Sequence, residues 1–435
     1  METNLKERLE KNGSFFVFWT IVATFSAYFC MFAFRKPFTA ATFEGFKYYA
    51  VSYKILLVIA QVLGYACSKF FGIVYISQLK KHQRINGILA LMSFAGLSLL
   101  AFAVVPPPYN IICMFFNGLP LGLIWGIVFS YLEGRKLTEL LGACLSTSFI
   151  IASGVVKSIG LWIMDSFGVS QFNMPFYVAG IFAVPLCISV WMLSKIPNPT
   201  KEDVKARSKR SPMTSAERSA VFKRHWGGIV LLTLFYLILS AFRDFRDNFI
   251  VDIWNELGFK NNASVLTKTE LPIAFGVLVF VASLIFIKRN VTALWVNHAL
   301  IIFGTIGIGI STLLFDYKLI SPMFWMIWIG FSLYLCYLLF QSLIFDRMMA
   351  TFREPGNVGF LMYIADAFGY LGSIAVLLFR NFGESEMSWL TFFIMFAYTI
   401  SILGVIIIGL AWLYFYRKYR LYKSNPRFNS QRLAG

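Results

Sequence analysis

The chain has 435 residues, 58% of them hydrophobic and only 14% charged, with a formal net charge of +18. Soluble domains run nearer ~45–50% apolar and ~25% charged, so these charges are too few to cover two or three soluble domains. A soluble enzyme and a secreted disulfide scaffold are excluded, and apolar runs of about 20 residues are unlike the short alternating strands of an outer-membrane barrel.

In chain order, runs long enough to cross a ~30 Å hydrocarbon core predict helices over residues 14–38, 53–76, 85–105, 109–131, 137–167 and 174–193. A polar break at 194–225 follows, and then helices over 226–251, 266–287, 293–315, 321–345, 358–379 and 389–416. The expected fold is therefore an all-α polytopic membrane protein with twelve transmembrane helices. Its domains read as an N-terminal six-helix bundle (1–193), a linker (194–225), a C-terminal six-helix bundle (226–416) and a basic tail (417–435). The first apolar run is too long for the core of a cleavable signal peptide. All six cysteines fall inside predicted spans, where they read as small core residues rather than metal ligands or disulfides.

The placement of the bases sets orientation. Twenty-seven Lys and Arg lie in the tails, the central break and the alternate loops, against five (Lys47, Lys260, Lys268, Lys318, Arg380) in the opposite loops. By the positive-inside rule both termini and the 194–225 linker are cytoplasmic, in a multi-pass protein of the cell (inner) membrane. The positive charge is thus a topology signal, and no nucleic-acid partner is expected; the expected partners are the lipid bilayer and a small solute, with the chain monomeric.

A six-plus-six chain invites a search for an internal repeat. Tyr28-FCMF-Ala33-Phe34-Arg35 and Tyr236-LILS-Ala241-Phe242-Arg243 agree at four of eight positions at one offset of 208 residues. The same offset carries Lys80-Lys81 onto Lys288-Arg289. The ends of the fourth and tenth spans also correspond, with Glu133 and Arg135 against Asp346 and Arg347, and these four read as a cytoplasmic gate.

Arginine within a membrane costs about 2.5–3.5 kcal/mol on insertion scales, so it normally faces a cavity or a partner. The apolar run before Arg243 is too short to span alone, which places Arg243, Asp244, Arg246 and Asp247 inside the membrane. At 100° per residue these four cover about half of the helix, a polar face expected to line a water-filled path. Tyr28 and Tyr236 stand two turns before their arginines, on the same faces. Lys157 adds a cation inside the fifth span. Asp366, in the eleventh, reads either as a proton-titrating group or as a counter-ion to Lys157. Arg35, Arg243, Lys157, Tyr28, Tyr236 and Arg246 are accordingly the candidate substrate contacts, and Lys36, Asp244, Asp247 and Asp366 the candidate coupling or charge-pair residues. Planar guanidinium forks suit phosphate or carboxylate. Gly118-x-x-x-Gly122-x-x-x-Gly126 permits close helix contact. No Walker loop, zinc-binding motif, nucleophile elbow or dinucleotide fingerprint occurs, so no enzymatic activity, cofactor or metal is expected.

Three stretches carry a resemblance: Arg35-Lys36-Pro37-Phe38, Gly64-Tyr65-Ala66-Cys67-Ser68-Lys69-Phe70 and Phe368-Gly369-Tyr370-Leu371-Gly372. With the twelve-span layout, they resemble the organophosphate:phosphate antiporters of the major facilitator superfamily. The chain departs from that family in lacking an acidic–basic pair after the second span and a histidine in the fifth. The resemblance implies two six-helix bundles, alternating access, and Arg35 and Arg243 as phosphate-binding arginines. The expected function is secondary transport of a small anionic (phosphorylated or carboxylated) solute by exchange. The alternatives are a proton-coupled carrier of a neutral solute and a transport-dead receptor of the same fold.

Overall fold

The computed structural model describes residues 2–48, 51–78, 81–132, 138–198, 215–260, 262–354, 359–383 and 387–424. Its helices are α1 (Glu2–Lys11), α2 (Gly13–Arg35), α3 (Tyr53–Gln78), α4 (Lys81–Val104), α5 (Ile111–Phe129), α6 (Thr138–Phe167) and α7 (Met174–Ser194). They continue as α8 (Ser215–Glu256), α9 (Ser264–Ser283), α10 (Asn290–Asp316), α11 (Pro322–Leu339), α12 (Phe345–Phe352), α13 (Gly359–Phe382) and α14 (Trp389–Ser424). Among the described residues, eleven helices are long and apolar enough to cross a membrane. The 26-residue α3, about 39 Å at 1.5 Å per residue, occupies the remaining expected span. The chain is an all-α polytopic membrane protein. The expected tenth span is α11, a π-helical turn (Phe340–Ile344) and α12 in succession. Within the linker, residues 199–214 lie outside the description; from Ser215 the chain is helical and runs into the seventh span through a kink at His225.

The contacts group the chain into two units. One holds Met1–Arg207, Asp244–Leu278 and Ile374–Phe393; the other holds Ser208–Arg243, Val279–Ser373 and Ile394–Gly435.

In the first unit, the end of α2 is set by local chemistry. Pro37 has no N–H to continue the helical ladder, so α2 ends at Arg35 and the chain turns through Lys36 into a 3₁₀ helix, Pro37–Ala40. Two carbonyls freed there are held by side chains. Gln61 Nε2 donates to the Arg35 carbonyl at 2.8 Å, and Asn117 Nδ2 to that of Phe34 at 3.1 Å. Gln61 also donates to Asn117 Oδ1 at 2.8 Å. These amides come close because α3 and α5 pack through glycines: a Cβ on Gly118 would strike the Gln61 carbonyl oxygen, and one on Gly64 that of Phe115. The glycine pattern read from the sequence is a packing device.

The second unit contains the repeat of α2 without its proline. The helix therefore passes Arg243 and ends thirteen residues later, at Glu256. Upstream of Arg243, α8 packs on α13 through Gly369, beside Tyr236 and Ser240, and Gly372, beside Leu237. On its other side Phe242 meets Phe396 edge-on at 5.2 Å. Phe315 stacks on Trp325 at 4.0 Å, joining α10 to α11.

Candidate functional site

Within the first unit the structure gathers a buried cluster of charge. The Asp247 carboxylate receives two lysines, Lys36 Nζ on Oδ2 at 2.5 Å and Lys157 Nζ on Oδ1 at 2.7 Å. Ser153 Oγ donates to the same Oδ1, and Lys157 also donates to Ser153 Oγ at 2.8 Å and to the Asp247 carbonyl. Lys36 further donates to Asn248 Oδ1 at 2.8 Å. Lys36 is 4% exposed and Lys157 only 1%. Burial of an ammonium is tolerated only when it is paired and hydrogen-bonded, and here each lysine has a carboxylate and a neutral oxygen.

Two further pairs accompany it. Lys54 Nζ lies 2.5 Å from Asp252 Oδ2, and Arg246 Nη2 lies 2.8 Å from Glu270 Oε1, with all four residues buried. Gly154 admits the last pair: a Cβ there would stand 2.8 Å from Glu270 Cγ. Arg35 lies in the same unit with its guanidinium 4.0 Å from the centre of the Tyr65 ring, which Lys69 approaches from 5.4 Å. Lys36, Lys54, Lys157 and Arg246 are thus buried against the three carboxylates Asp247, Asp252 and Glu270.

The second unit holds the other candidates. The guanidinium of Arg243 lies 4.2 Å from the centre of the Tyr337 ring. Tyr236 stacks on Tyr337 and on Phe340, with centroids 5.6 and 4.5 Å apart. Its hydroxyl donates to Asp366 Oδ1 at 2.8 Å and lies 3.1 Å from the Tyr337 hydroxyl. Each arginine of the repeat thus sits over a tyrosine face, a placement that holds the guanidinium plane by cation–π attraction. Tyr28 packs edge-on against Trp125 in the first unit.

Several sequence expectations are revised. The polar face of the seventh span does not line an open water path in this conformation: Asp244, Arg246 and Asp247 are buried. Asp247 turns to Lys36 and Lys157 rather than to Arg243 one turn before it, because cations on other helices approach more directly. Lys157 pairs with Asp247, and Asp366 accepts from Tyr236 instead. Arg246, expected as a substrate contact, carries a buried pair with Glu270. In the expected gate, Arg347 donates to Asn290 Oδ1 at 2.7 Å and Asp346 is half-buried, while Glu133 and Arg135 lie outside the described residues. Lys54, Asp252 and Glu270 were not singled out from the sequence. A signal was present in Glu270, a carboxylate near the start of the predicted span 266–287.

A second ion cluster marks the kink in α8. Glu354 receives Arg224 Nη1 on both carboxylate oxygens, at 2.8 and 2.7 Å, and its Oε1 lies 2.8 Å from His225 Nε2. Burial acts to raise the Glu354 carboxyl, but the hydrogen bonds and charges of His225 and Arg224 outweigh it and hold the group below the usual carboxylate range.

These helices have the fold of major facilitator transporters. Two solved structures share it: a D-xylose–proton symporter (TM-score 0.59, 14% identity, covering 92% of this chain and 97% of that one) and a mutant of the nucleoside transporter NupG (TM-score 0.57, 13% identity, 92% and 99%). Residues 37–418 match the family of unknown function DUF5690, and the chain belongs to that family. No curated protein matches the sequence.

Proposed function

We propose that this protein is a secondary transporter of a small anionic solute, phosphorylated or carboxylated, working by alternating access and by exchange. The observation that carries the reading is the buried cluster in which Lys36 and Lys157 share the single carboxylate of Asp247. Two ammonium groups on one carboxylate leave a local surplus of positive charge at Asp247. In a medium of low dielectric such a surplus favours an entering anion. That anion competes with Asp247 for the lysines, so binding loosens a contact tying the first-half helices to residues 244–278.

The repeated arginines complete the proposal. Arg35 and Arg243, each over a tyrosine, supply the bidentate forks; their pairing is inferred from the 208-residue repeat and from the resemblance to organophosphate:phosphate antiporters. The charge count makes the N-terminus cytoplasmic. Lys36, just past the end of α2, then lies toward the outside, and the Asp247 cluster serves as an outer lock. The same count supports a cell-membrane protein with both termini inside.

A specific observation favours a second reading. Asp366, a carboxylate within the eleventh span, accepts from the Tyr236 hydroxyl, and one structural neighbour is a D-xylose–proton symporter.

Thermal unfolding of the purified protein separates the two, because a solute that binds the native state raises its stability by linkage. Inorganic phosphate, sugar phosphates and small carboxylates are expected to raise Tm, and free sugars and nucleosides to leave it unchanged. Stabilisation by the neutral solutes alone would remove the anion reading.

A further inference from the structure

The second unit carries an apolar cleft that the charge clusters do not use. It has a volume of about 410 Å³ and is lined by Gly409, Trp412, Leu413 and Tyr416 of α14. That is within the ~300–1,000 Å³ range of small-molecule pockets. Gly409 makes it a notch, since a Cβ built there would meet nothing within 4 Å. Leu413 and Tyr416 are 54% and 45% exposed.

What surrounds the cleft fixes its depth in the membrane. Trp295 of α10 stacks on Trp412, with centroids 6.5 Å apart and planes 9° from parallel. Tyr416 and Tyr419 meet the same ring edge-on at 5.9 and 6.2 Å. Such a group of tryptophans and tyrosines belongs at the boundary between hydrocarbon and head groups. The next turn of the same face is basic. Arg417 follows Leu413 by four residues and Arg420 follows Tyr416 by four, which stacks each base over a cleft residue. Both are exposed, as is Lys423 a turn further on. At 1.5 Å per residue the guanidinium-bearing positions begin about 6 Å beyond Leu413.

An apolar notch, an aromatic collar and exposed bases in that order along one helix face match the parts of an anionic phospholipid in order. We propose that this face is a binding site for one anionic phospholipid, its acyl chain in the notch beside Gly409 and its phosphate at Arg417 and Arg420. A zwitterionic lipid satisfies the notch but offers the bases no net charge. Clustered bases beside a span attract anionic lipid near the surface, and the notch converts that diffuse attraction into a single seat.

The test is thermal unfolding of the full chain in detergent micelles supplemented with phosphatidylglycerol or with phosphatidylcholine. Phosphatidylglycerol is expected to raise Tm by several degrees more than phosphatidylcholine. Two variants should each remove most of that difference: Arg417→Gln with Arg420→Gln, which deletes the charge, and Gly409→Leu, whose Cβ has no atom within 4 Å and whose side chain fills the notch. Equal shifts from the two lipids would overturn the proposal. So would a full phosphatidylglycerol preference in Gly409→Leu, because the attraction would then be diffuse and the notch irrelevant. Gel filtration and helical circular dichroism of each variant keep a folding failure from being read as a loss of lipid.

Discussion

Arg35 and Arg243 present flat guanidiniums over Tyr65 and Tyr337, a geometry that an ammonium group cannot reproduce. Arg35→Lys and Arg243→Lys are each expected to weaken solute binding at least tenfold with near-normal expression. A thermal-shift titration checks this, and wild-type affinity in both variants would make the arginines structural. Lys54 and Asp252 form a buried pair whose two side chains can be changed together, which tests what such charge contributes. Asp252→Asn alone should cost about 3–5 kcal/mol, the range for stranding one buried charge. The double change Lys54→Met with Asp252→Leu should recover most of it, since apolar groups of like size replace buried ion pairs at little cost. Denaturation of the three variants side by side reads the cycle. Asp247→Asn differs in kind, because it leaves Lys36 and Lys157 together with no carboxylate between them. Inorganic phosphate should therefore raise the Tm of that variant more than it raises wild type.

At the scale of elements, the sequence and the structure agree where periodicity and composition suffice. The apolar runs became helices, since a span must satisfy its own backbone in lipid. Most ends fall within about four residues of expectation, but α8 begins eleven residues early and α14 ends eight residues late. Disagreement gathers where partners lie far apart in sequence. The four charges after Ala241 read as one polar face because helical geometry was the only information there, whereas Lys36, Lys157 and Glu270 arrive from three other helices. The asymmetry between α2 and α8 was legible in principle, as Pro37 has no counterpart after Arg243. The kink in α8 was not, because His225 is held by Glu354 across 129 residues. That contact has a pH dependence of definite sign. A carboxyl held below its ordinary value contributes stability that is complete above pH ~4.5 and is lost as pH falls through the lowered value. Glu354→Gln should therefore flatten the acid limb of the stability curve and leave neutral pH less stable; an unchanged acid limb would show that the contact carries little.

For the whole molecule, the fold explains why charge sits where hydrocarbon is the solvent. A carrier must hold one side shut with contacts that its solute can undo, and apolar packing alone gives no solute-specific release. In the proposed function, the two lysines on Asp247 would give that release to an anion rather than to a neutral solute. The topology is open to a direct check: a cysteine replacing Lys209 should react with an impermeant reagent only from the cytoplasmic side, and one replacing Gly168 only from outside. The central claim of exchange follows from the same surplus charge. In the proposed mechanism an empty protein, with Lys36 and Lys157 sharing one carboxylate, would reorient slowly, whereas one loaded with an anion would not. Proteoliposomes holding labelled inorganic phosphate measure this most directly, by comparing efflux into phosphate-containing buffer with efflux into phosphate-free buffer. Exchange should outrun net efflux at least tenfold in the wild type and collapse in Arg35→Lys and Arg243→Lys. Equal rates with and without external phosphate, or a net flux driven by a proton gradient, would contradict the account.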